Sequence, residues 1–324
     1  MIRLEQPERA QTMDDLLDAR LIARIERLDL TSRKIFAGKL KGERRSKKRG
    51  ESVEFADHRP YAVGDDPRFI DWNIFGRLDR LFLKLFLEEE DLSLHIVLDA
   101  SASLDCGEPS KWRFAQQLAM ALGYIGLVNL NRVAVTTVGG SIETGTDDGG
   151  RDPQAADITH TIRDLRGRRR TADLSRFLCS LRPEGATDFG EAAKRIALTR
   201  RGKGVMVVIS DFFMKEGYEQ GLRLLVGRGY DVLAIQALSP QEVEPEGPHG
   251  LAGDLRLVDT EDGDRAEVTV SAPLLKKYKA TLDAYCGGLR DFCARREMTA
   301  MTIRSDTDVD TLLLDYLRER GVLR

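Results

Sequence analysis

The sequence of 324 residues lacks the motifs by which most enzymes are identified. Its four histidines and four cysteines form no Cys-x-x-Cys pair and no cluster that would indicate a zinc site. It also has no phosphate-binding Gly-x-x-x-x-Gly-Lys-Ser/Thr loop, no His-Glu-x-x-His and no Gly-x-Ser-x-Gly motif. We therefore predict that the chain is not an enzyme, and that any ATP hydrolysis linked to its work is done by another chain.

Long hydrophobic runs and a strong charge bias are also missing. No apolar run approaches the roughly 20 residues of a membrane-spanning helix, and residues 1–9 are mostly polar. With 42% hydrophobic and 32% charged residues, and a net charge of -3, the composition is that of a globular protein without a preference for polyanions. We therefore expect a cytoplasmic protein that does not contact membranes and for which nucleic acid is not the main partner.

One stretch combines a hydrophobic run with polar side chains at its end. Residues 94–98 are mostly apolar, Asp99 follows them, and Ser101 and Ser103 come next at every second position. Together with the helical pattern of residues 111–128, this stretch predicts a buried strand, a polar loop and a helix. Open α/β folds bind ligands in loops of this kind, at the carboxyl end of a strand. Carboxylate and hydroxyl oxygens suit Mg²⁺ or Mn²⁺ better than zinc. Taken alone, the same residues could instead cap the coming helix.

Two later segments are predicted to reach the same edge of the sheet. Thr187 lies just before a predicted helix, and a second buried strand, residues 204–210, ends in Asp211. Because the carboxyl ends of parallel strands meet at one edge, these oxygens are expected to lie near Asp99. The candidate metal ligands are therefore five: Asp99, Ser101, Ser103, Thr187 and Asp211.

In order and spacing, these five residues resemble the metal-ion-dependent adhesion site of von Willebrand factor A domains. The resemblance implies that Ser101, Ser103 and Thr187 touch the ion directly, while Asp99 and Asp211 hold it largely through water. It also implies one coordination position that a carboxylate from an acidic protein ligand completes. No catalytic residue is implied.

A second resemblance covers nearly the whole chain. Its motifs resemble the signature of the domain of unknown function 58 family, and they occupy residues 50–55, 59–61, 64–68, 70–72 and 84–86. In bacteria this family carries a von Willebrand A-like domain and is associated with MoxR-type AAA+ ATPases. The resemblance therefore implies a metal-dependent protein-binding module that acts with such an ATPase in chaperone-like or assembly work.

The sequence is compatible with two other functions. A basic cluster, Arg44, Arg45, Lys47, Lys48 and Arg49, could bind nucleic acid, although no aromatic residues are interleaved and a solvated loop is the commoner explanation. Asp99 also resembles the strand-end nucleophile of haloacid dehalogenase-type phosphotransferases. Those enzymes usually have an acidic residue two positions later, where this chain has Ser101, so a metal-dependent phosphotransferase is the less favoured alternative.

The pattern along the chain predicts its architecture. Residues 11–30 have the spacing of an amphipathic helix packed on the later domain, and residues 81–87 are expected to form an antiparallel hairpin with the strand at residue 94. Further strands are predicted at 132–138, 204–211, 231–238 and 298–304, and further helices at 155–165, 174–181, 188–200, 217–226, 273–296 and 308–320.

This alternation predicts an α/β fold with a doubly wound, mostly parallel sheet, for which the resemblance implies the von Willebrand A-like form. We expect an N-terminal region, residues 1–90, made of the helix, the basic loop and a β-rich extension. The A-like domain is predicted to span residues 91–324. It should contain a small β-hairpin insertion around residues 240–270, with a turn at Asp262 and Gly263.

Overall fold

A computed structural model of the protein describes residues 9–30, 54–87, 92–143, 159–199, 204–246, 253–261 and 263–323. The chain forms two compact units. The smaller comprises Ala37–Asp91, and the larger combines Met1–Phe36 with Leu92–Arg324. The helical N-terminal residues, which the sequence analysis grouped with residues 1–90, are thus counted with the larger unit.

The described strands are β1 (Glu54–Pro60), β2 (Phe82–Leu87), β3 (Ser93–Asp99), β4 (Arg132–Val138), β5 (Ser141–Ile142), β6 (Thr161–Leu165), β7 (Leu181–Arg182), β8 (Gly204–Ser210), β9 (Tyr230–Leu238), β10 (Gly253–Val258), β11 (Arg265–Val270) and β12 (Thr299–Arg304). The described α-helices are α1 (Met13–Leu16), α2 (Ala19–Ile25), α3 (Trp72–Leu78), α4 (Lys111–Val128), α5 (Thr171–Ser180), α6 (Phe189–Thr199), α7 (Glu219–Val226), α8 (Pro240–Val243), α9 (Ala272–Ala294) and α10 (Val309–Thr311), the last continuing as a π-helical stretch, Leu312–Leu317. No helix in these ranges is both long enough and apolar enough to cross a membrane.

A six-stranded sheet forms the centre of the larger unit. Its order is β12-β9-β8-β3-β4-β6, and its pairings are parallel except for the antiparallel edge pair of β4 and β6. If these six strands are renumbered 1 to 6 in chain order, the sheet reads 3-2-1-4-5-6 from β6 to β12, which is the order of a doubly wound fold. The direction of winding reverses between β3 and β8. The predicted α/β fold with a doubly wound, mostly parallel sheet is confirmed.

Alternate residues of the central strands point into two separate cores. Leu94, Ile96 and Leu98 of β3 pack in one core with α4, whereas Val97 packs in the other with residues of α6 and α7. Because helices cover both faces, β3 and β8 are buried along almost their whole length. This is why their sequences are nearly continuous apolar runs.

The N-terminal residues pack on the larger unit as predicted, but they do not form one continuous helix. Instead of one helix over residues 11–30, the chain forms the two short helices α1 and α2. The break lies at Leu17 and Asp18, where the Asp18 carboxylate accepts a hydrogen bond from the backbone N–H of Leu21 at 2.6 Å and so caps α2. Leu17 and Ile25 are buried in the core that also contains α4.

Two further predictions are corrected. Residues 82–87 form β2, which pairs with β1 and not with the strand at residue 94, because β3 has parallel neighbours on both sides. The predicted helix over residues 155–165 contains the edge strand β6 instead, and residues 155–158 lie outside the described ranges. Pairing with β4 outweighs the helical spacing of Ile162 and Leu165. The predicted β-hairpin insertion is confirmed as β10 and β11.

Within the smaller unit, the β1–β2 pair carries a network of charged side chains. Arg59 pairs with Asp65 at 2.7 Å, and Asp71 accepts a hydrogen bond from the backbone N–H of Asn73 while lying 3.0 Å from the ring of His58. Asp71 therefore fixes the start of α3. These contacts give the charged residues of this region a structural role.

Two glycines give a test of the packing. Gly204 lies opposite Ser93 in the β8–β3 pair, and a Cβ atom added there would come within 1.9 Å of the Ser93 carbonyl oxygen. Gly204→Ala should therefore lower the free energy of unfolding by about 1–3 kcal/mol. Gly287 lies in α9 with no heavy atom within 4 Å of such a Cβ, so Gly287→Ala should raise it by about 0.5–1 kcal/mol. Urea denaturation followed by circular dichroism measures both, and equal effects of the two changes would contradict the assigned positions.

Candidate metal centre

A cleft opens at the carboxyl ends of β3 and β8, where the winding of the sheet reverses. Four of the five residues predicted from the sequence line it: Asp99, Ser101, Thr187 and Asp211. The fifth, Ser103, lies beside them, with its hydroxyl 2.9 Å from that of Ser101. The structure thus brings together side chains from three separate segments of the chain, at the crevice where folds of this type bind ligands.

Asp99 is the last residue of β3, and its carboxylate is held by three hydrogen bonds. One oxygen accepts from the backbone N–H of Ser101 and from the Thr187 hydroxyl, both at 3.0 Å. The other accepts from the hydroxyl of Ser210, the last residue of β8, at 2.5 Å. Because Asp99 is buried, these donors offset part of the cost of removing its charge from water. They also fix the orientation of the carboxylate.

The serines do not cap the following helix. Ser101 lies at the N-cap position of the 3₁₀ turn Ala102–Asp105, but its side chain makes no capping hydrogen bond and contacts Ser103 instead. Helix α4 is capped by Ser110, whose hydroxyl accepts from the backbone N–H of Arg113. The capping interpretation of Ser101 is therefore wrong, and its hydroxyl is directed toward the cleft.

Backbone hydrogen bonds bring Thr187 to Asp99. The N–H of Ala102 donates to the carbonyl of Gly185, and the N–H of Glu184 donates to the carbonyl of Ala100, both at 3.0 Å. The loop that precedes α6 is thereby attached to the loop that follows β3. This attachment explains why a threonine 88 residues distant in sequence donates to Asp99.

Asp211 follows β8 and is almost completely buried. One of its carboxylate oxygens accepts from the backbone N–H of Phe213 at 3.0 Å. The intervening Phe212 has a φ of 60°, a conformation that is unfavourable for a residue with a side chain. Its buried ring packs edge-on against Phe189 and Tyr218, and this packing holds the turn that directs Asp211 into the cleft.

A buried lysine, which the sequence analysis did not identify, neutralises part of the site. Lys111 is the first residue of α4, and its ammonium lies 3.0 Å from Asp211 and 2.6 Å from Glu242. Burial by itself lowers the pKa of Lys111, but the charges of Asp211 and Glu242 outweigh that effect and raise the pKa above its usual range. Lys111 is therefore a fixed positive charge between two carboxylates.

Another carboxylate that the sequence analysis missed lies in the same cleft. Glu261 belongs to the turn between β10 and β11 and lines the cleft together with Asp99 and Asp211. Burial raises the pKa of Glu261, and the charges of those two aspartates raise it further, while a hydrogen bond with Ser103 lowers it. The hairpin had been predicted only as a structural insertion, because nothing in its sequence points to a site in another segment.

The donors fit a hard divalent cation. The predicted residues offer carboxylate and hydroxyl oxygens, which Mg²⁺ and Mn²⁺ accept. Burial raises the pKa of Asp99, and the charge of Asp211 raises it further, so a nearby cation would relieve an unfavourable concentration of negative charge. In the described parts of the chain, no group of three or more histidine, cysteine, aspartate or glutamate side chains is arranged to hold a metal, so hydroxyl ligands are essential to this candidate.

The basic cluster at residues 44–49 lies outside the described ranges.

Comparison with known families identifies the class of protein. A family model described as protein of unknown function DUF58 matches residues 57–284, which is more than half of the chain. The chain belongs to this family.

Relatives of similar length include the uncharacterized protein Rv1480 of Mycobacterium tuberculosis and the uncharacterized protein Mb1516 of Mycobacterium bovis. Each is 26% identical over 317 residues, which cover 95% of this chain and 93% of the relative.

Among solved structures, the pilus adhesin SpaC from Lactobacillus rhamnosus GG is similar over 73% of this chain and 31% of its own, with 10% identity and a TM-score of 0.42. The manganese-loaded TRAP protein of Plasmodium vivax is similar over 45% of this chain and 57% of its own, with 18% identity and a TM-score of 0.28.

Removing the buried ammonium should strongly destabilise the protein. Lys111→Met leaves Asp211 without its cation, and breaking a buried pair in this way costs about 3–5 kcal/mol. Lys194→Met is a matched control, because Lys194 forms an exposed pair with Glu191 worth less than about 1 kcal/mol. Urea denaturation in the presence of chelator measures both variants. A Lys111→Met variant as stable as the control would contradict the role assigned to Lys111.

Proposed function

We propose that this protein is a non-enzymatic binding module whose cleft holds Mg²⁺ or Mn²⁺, and that this ion binds an acidic side chain of a partner protein. The main support for the proposal is that oxygen-bearing side chains from three chain segments converge at one place. This place is the edge of the sheet where its winding reverses, between β3 and β8. This arrangement offers several hard ligands on one side of an ion and leaves the cleft side for an external ligand.

The residues have distinct roles in the proposed centre. The Ser101, Ser103 and Thr187 hydroxyls would contact the ion directly, and Asp99 and Asp211 would hold it largely through water. The hydrogen bond from Thr187 to Asp99 and the ion pair between Lys111 and Asp211 support these roles, because both aspartates are already fixed by partners within the chain. The bound ion would supply positive charge that attracts and orients a carboxylate.

The rim of the cleft suits a protein ligand. Phe213 and Met214 lie beside the polar residues, and the Phe213 side chain is 37% exposed. Exposed aromatic and methionine side chains are enriched in protein interfaces, where they supply apolar contact around a polar anchor. A partner could thus combine a carboxylate on the ion with an apolar contact at the rim.

Metal binding is the first test. Isothermal titration calorimetry with Mn²⁺ should show binding to the wild-type protein, and Asp99→Asn should abolish it or weaken it by about tenfold or more, because a carboxylate charge is lost at the ion. Asp99→Ala and Asp211→Ala should weaken binding as well. Asp283→Asn, an exposed change on α9, is the control and should bind like the wild type. Folding of each variant is checked by circular dichroism, and a wild-type protein that shows no heat of binding at saturating Mn²⁺ contradicts the proposal.

We further propose a MoxR-type AAA+ ATPase as the direct or functional partner, a proposal that rests on the family resemblance. A pull-down of this ATPase from the same organism should succeed with Mg²⁺ and fail with Ser101→Ala or Thr187→Ala. Thr199→Ala is a matched control, because the Thr199 hydroxyl bonds only within its own helix among the contacts described. Comparing the variants at constant Mg²⁺ separates this effect from the ATPase's own need for the metal.

Retention of the ATPase by folded Ser101→Ala and Thr187→Ala variants would contradict contact through the cleft. The contact would then be sought in residues 54–72, where the side chains of Phe69 and Trp72 are exposed.

A further inference from the structure

We propose that Glu261 is an additional ligand of the ion in this cleft, supplied by the chain itself, and that a partner's carboxylate must displace it in order to bind. This inference rests on the proposed function and adds an internal competitor to it. Glu261 comes from the hairpin inserted between β9 and α9, a segment outside the five residues predicted as ligands.

The main evidence for this inference is the position of Glu261. Its side chain lines the cleft together with Asp99, Ser101, Thr187 and Asp211. Ser103, whose hydroxyl lies 2.9 Å from that of Ser101, is among the side chains that act on its carboxylate. A carboxylate in the same cleft as the proposed ligands can occupy the position that the external carboxylate of the proposed function would take.

The turn that carries Glu261 is fixed against the rim of the cleft. The backbone N–H of Glu261 donates to the Asp259 carboxylate at 2.8 Å, and the other oxygen of that carboxylate lies 3.4 Å from the Lys215 ammonium. Lys215 belongs to the loop that follows Asp211 and lines the same cleft. Through these contacts the hairpin turn is attached to the segment that carries a proposed metal-holding residue.

The charges around Glu261 favour a cation in the cleft. Asp99, Asp211 and Glu261 place three carboxylates at one cleft, while the ammonium of Lys111 is bound to Asp211 and Glu242 and that of Lys215 to Asp259. Negative charges that share a cleft repel one another, and this repulsion falls when a cation binds nearby. A divalent ion that contacts Glu261 would remove this repulsion.

A shift of the hairpin would leave the central sheet intact. Strands β10 and β11 pair with each other as a separate two-stranded sheet, so no strand of the six-stranded sheet loses a neighbour when the hairpin shifts. A partner carboxylate could therefore replace Glu261 at the cost of the contacts made by the turn. This would make binding selective for partners that also contact the rim.

Mn²⁺ provides the test, because its affinity and the number of water molecules that it retains are both measurable. Glu261→Gln should bind Mn²⁺ about tenfold more weakly than the wild type, and each bound ion should relax water protons faster, because water replaces the lost ligand. Millimolar acetate should reverse the increase in relaxation, because its carboxylate fills the vacated position. Glu267→Gln, an exposed change on β11, is the matched control and should behave like the wild type.

The possible results separate this inference from the proposed function. If Asp99→Asn loses Mn²⁺ binding while Glu261→Gln keeps the wild-type affinity and relaxation, Glu261 is not a ligand and the proposed metal centre stands. If the wild-type protein binds no Mn²⁺, both are overturned. Weaker affinity together with faster relaxation in Glu261→Gln alone supports the inference, because a merely structural change in the hairpin would not add water to the ion.

Discussion

Two carboxylates, Asp99 and Asp211, are buried at the ends of neighbouring parallel strands, and their charges must be balanced for the fold to be stable. Asp99 receives hydrogen bonds from the Thr187 and Ser210 hydroxyls, and Asp211 receives one from the buried ammonium of Lys111. An isolated charge in such a place would cost far more than a domain's whole stability. The loop after β3, the start of α4 and the loop before α6 are therefore held together by the same pair of charges.

The sheet determines where these charges meet. The register of β3 against β8 sets Leu98 opposite Ile209, so the next residues of both strands emerge at the same level. The winding reverses between these two strands, and the segments that follow them lead away in opposite directions and leave a crevice. Helix α4 brings Lys111 to one side of it, and the inserted hairpin brings Glu261 to another. The site is thus a product of topology as much as of any local motif.

The parts that could be predicted from the sequence are those that have a local signal. The apolar runs ending in Asp99 and Asp211 identified the central strands, and the parallel arrangement of those strands brings these two aspartates together. The position of Thr187 depends in addition on backbone hydrogen bonds between two loops. The parts that were missed depend on distant partners. Lys111 appears in the sequence only as the start of an apolar helix, and its pairing with Glu242 joins residues 131 positions apart. The same holds for β2, whose alternation predicts a strand but does not identify β1 as its partner.

The proposed metal centre is tested most directly by locating a bound ion in a crystal structure. Crystals of the wild-type protein soaked in MnCl₂, with diffraction data collected at the manganese absorption edge, locate the metal without reference to any assumed ligand. We expect an anomalous peak in the cleft, bounded by Ser101, Ser103, Thr187 and Glu261, with Asp99 and Asp211 behind it. A cleft without an anomalous peak at saturating Mn²⁺ would contradict the metal centre.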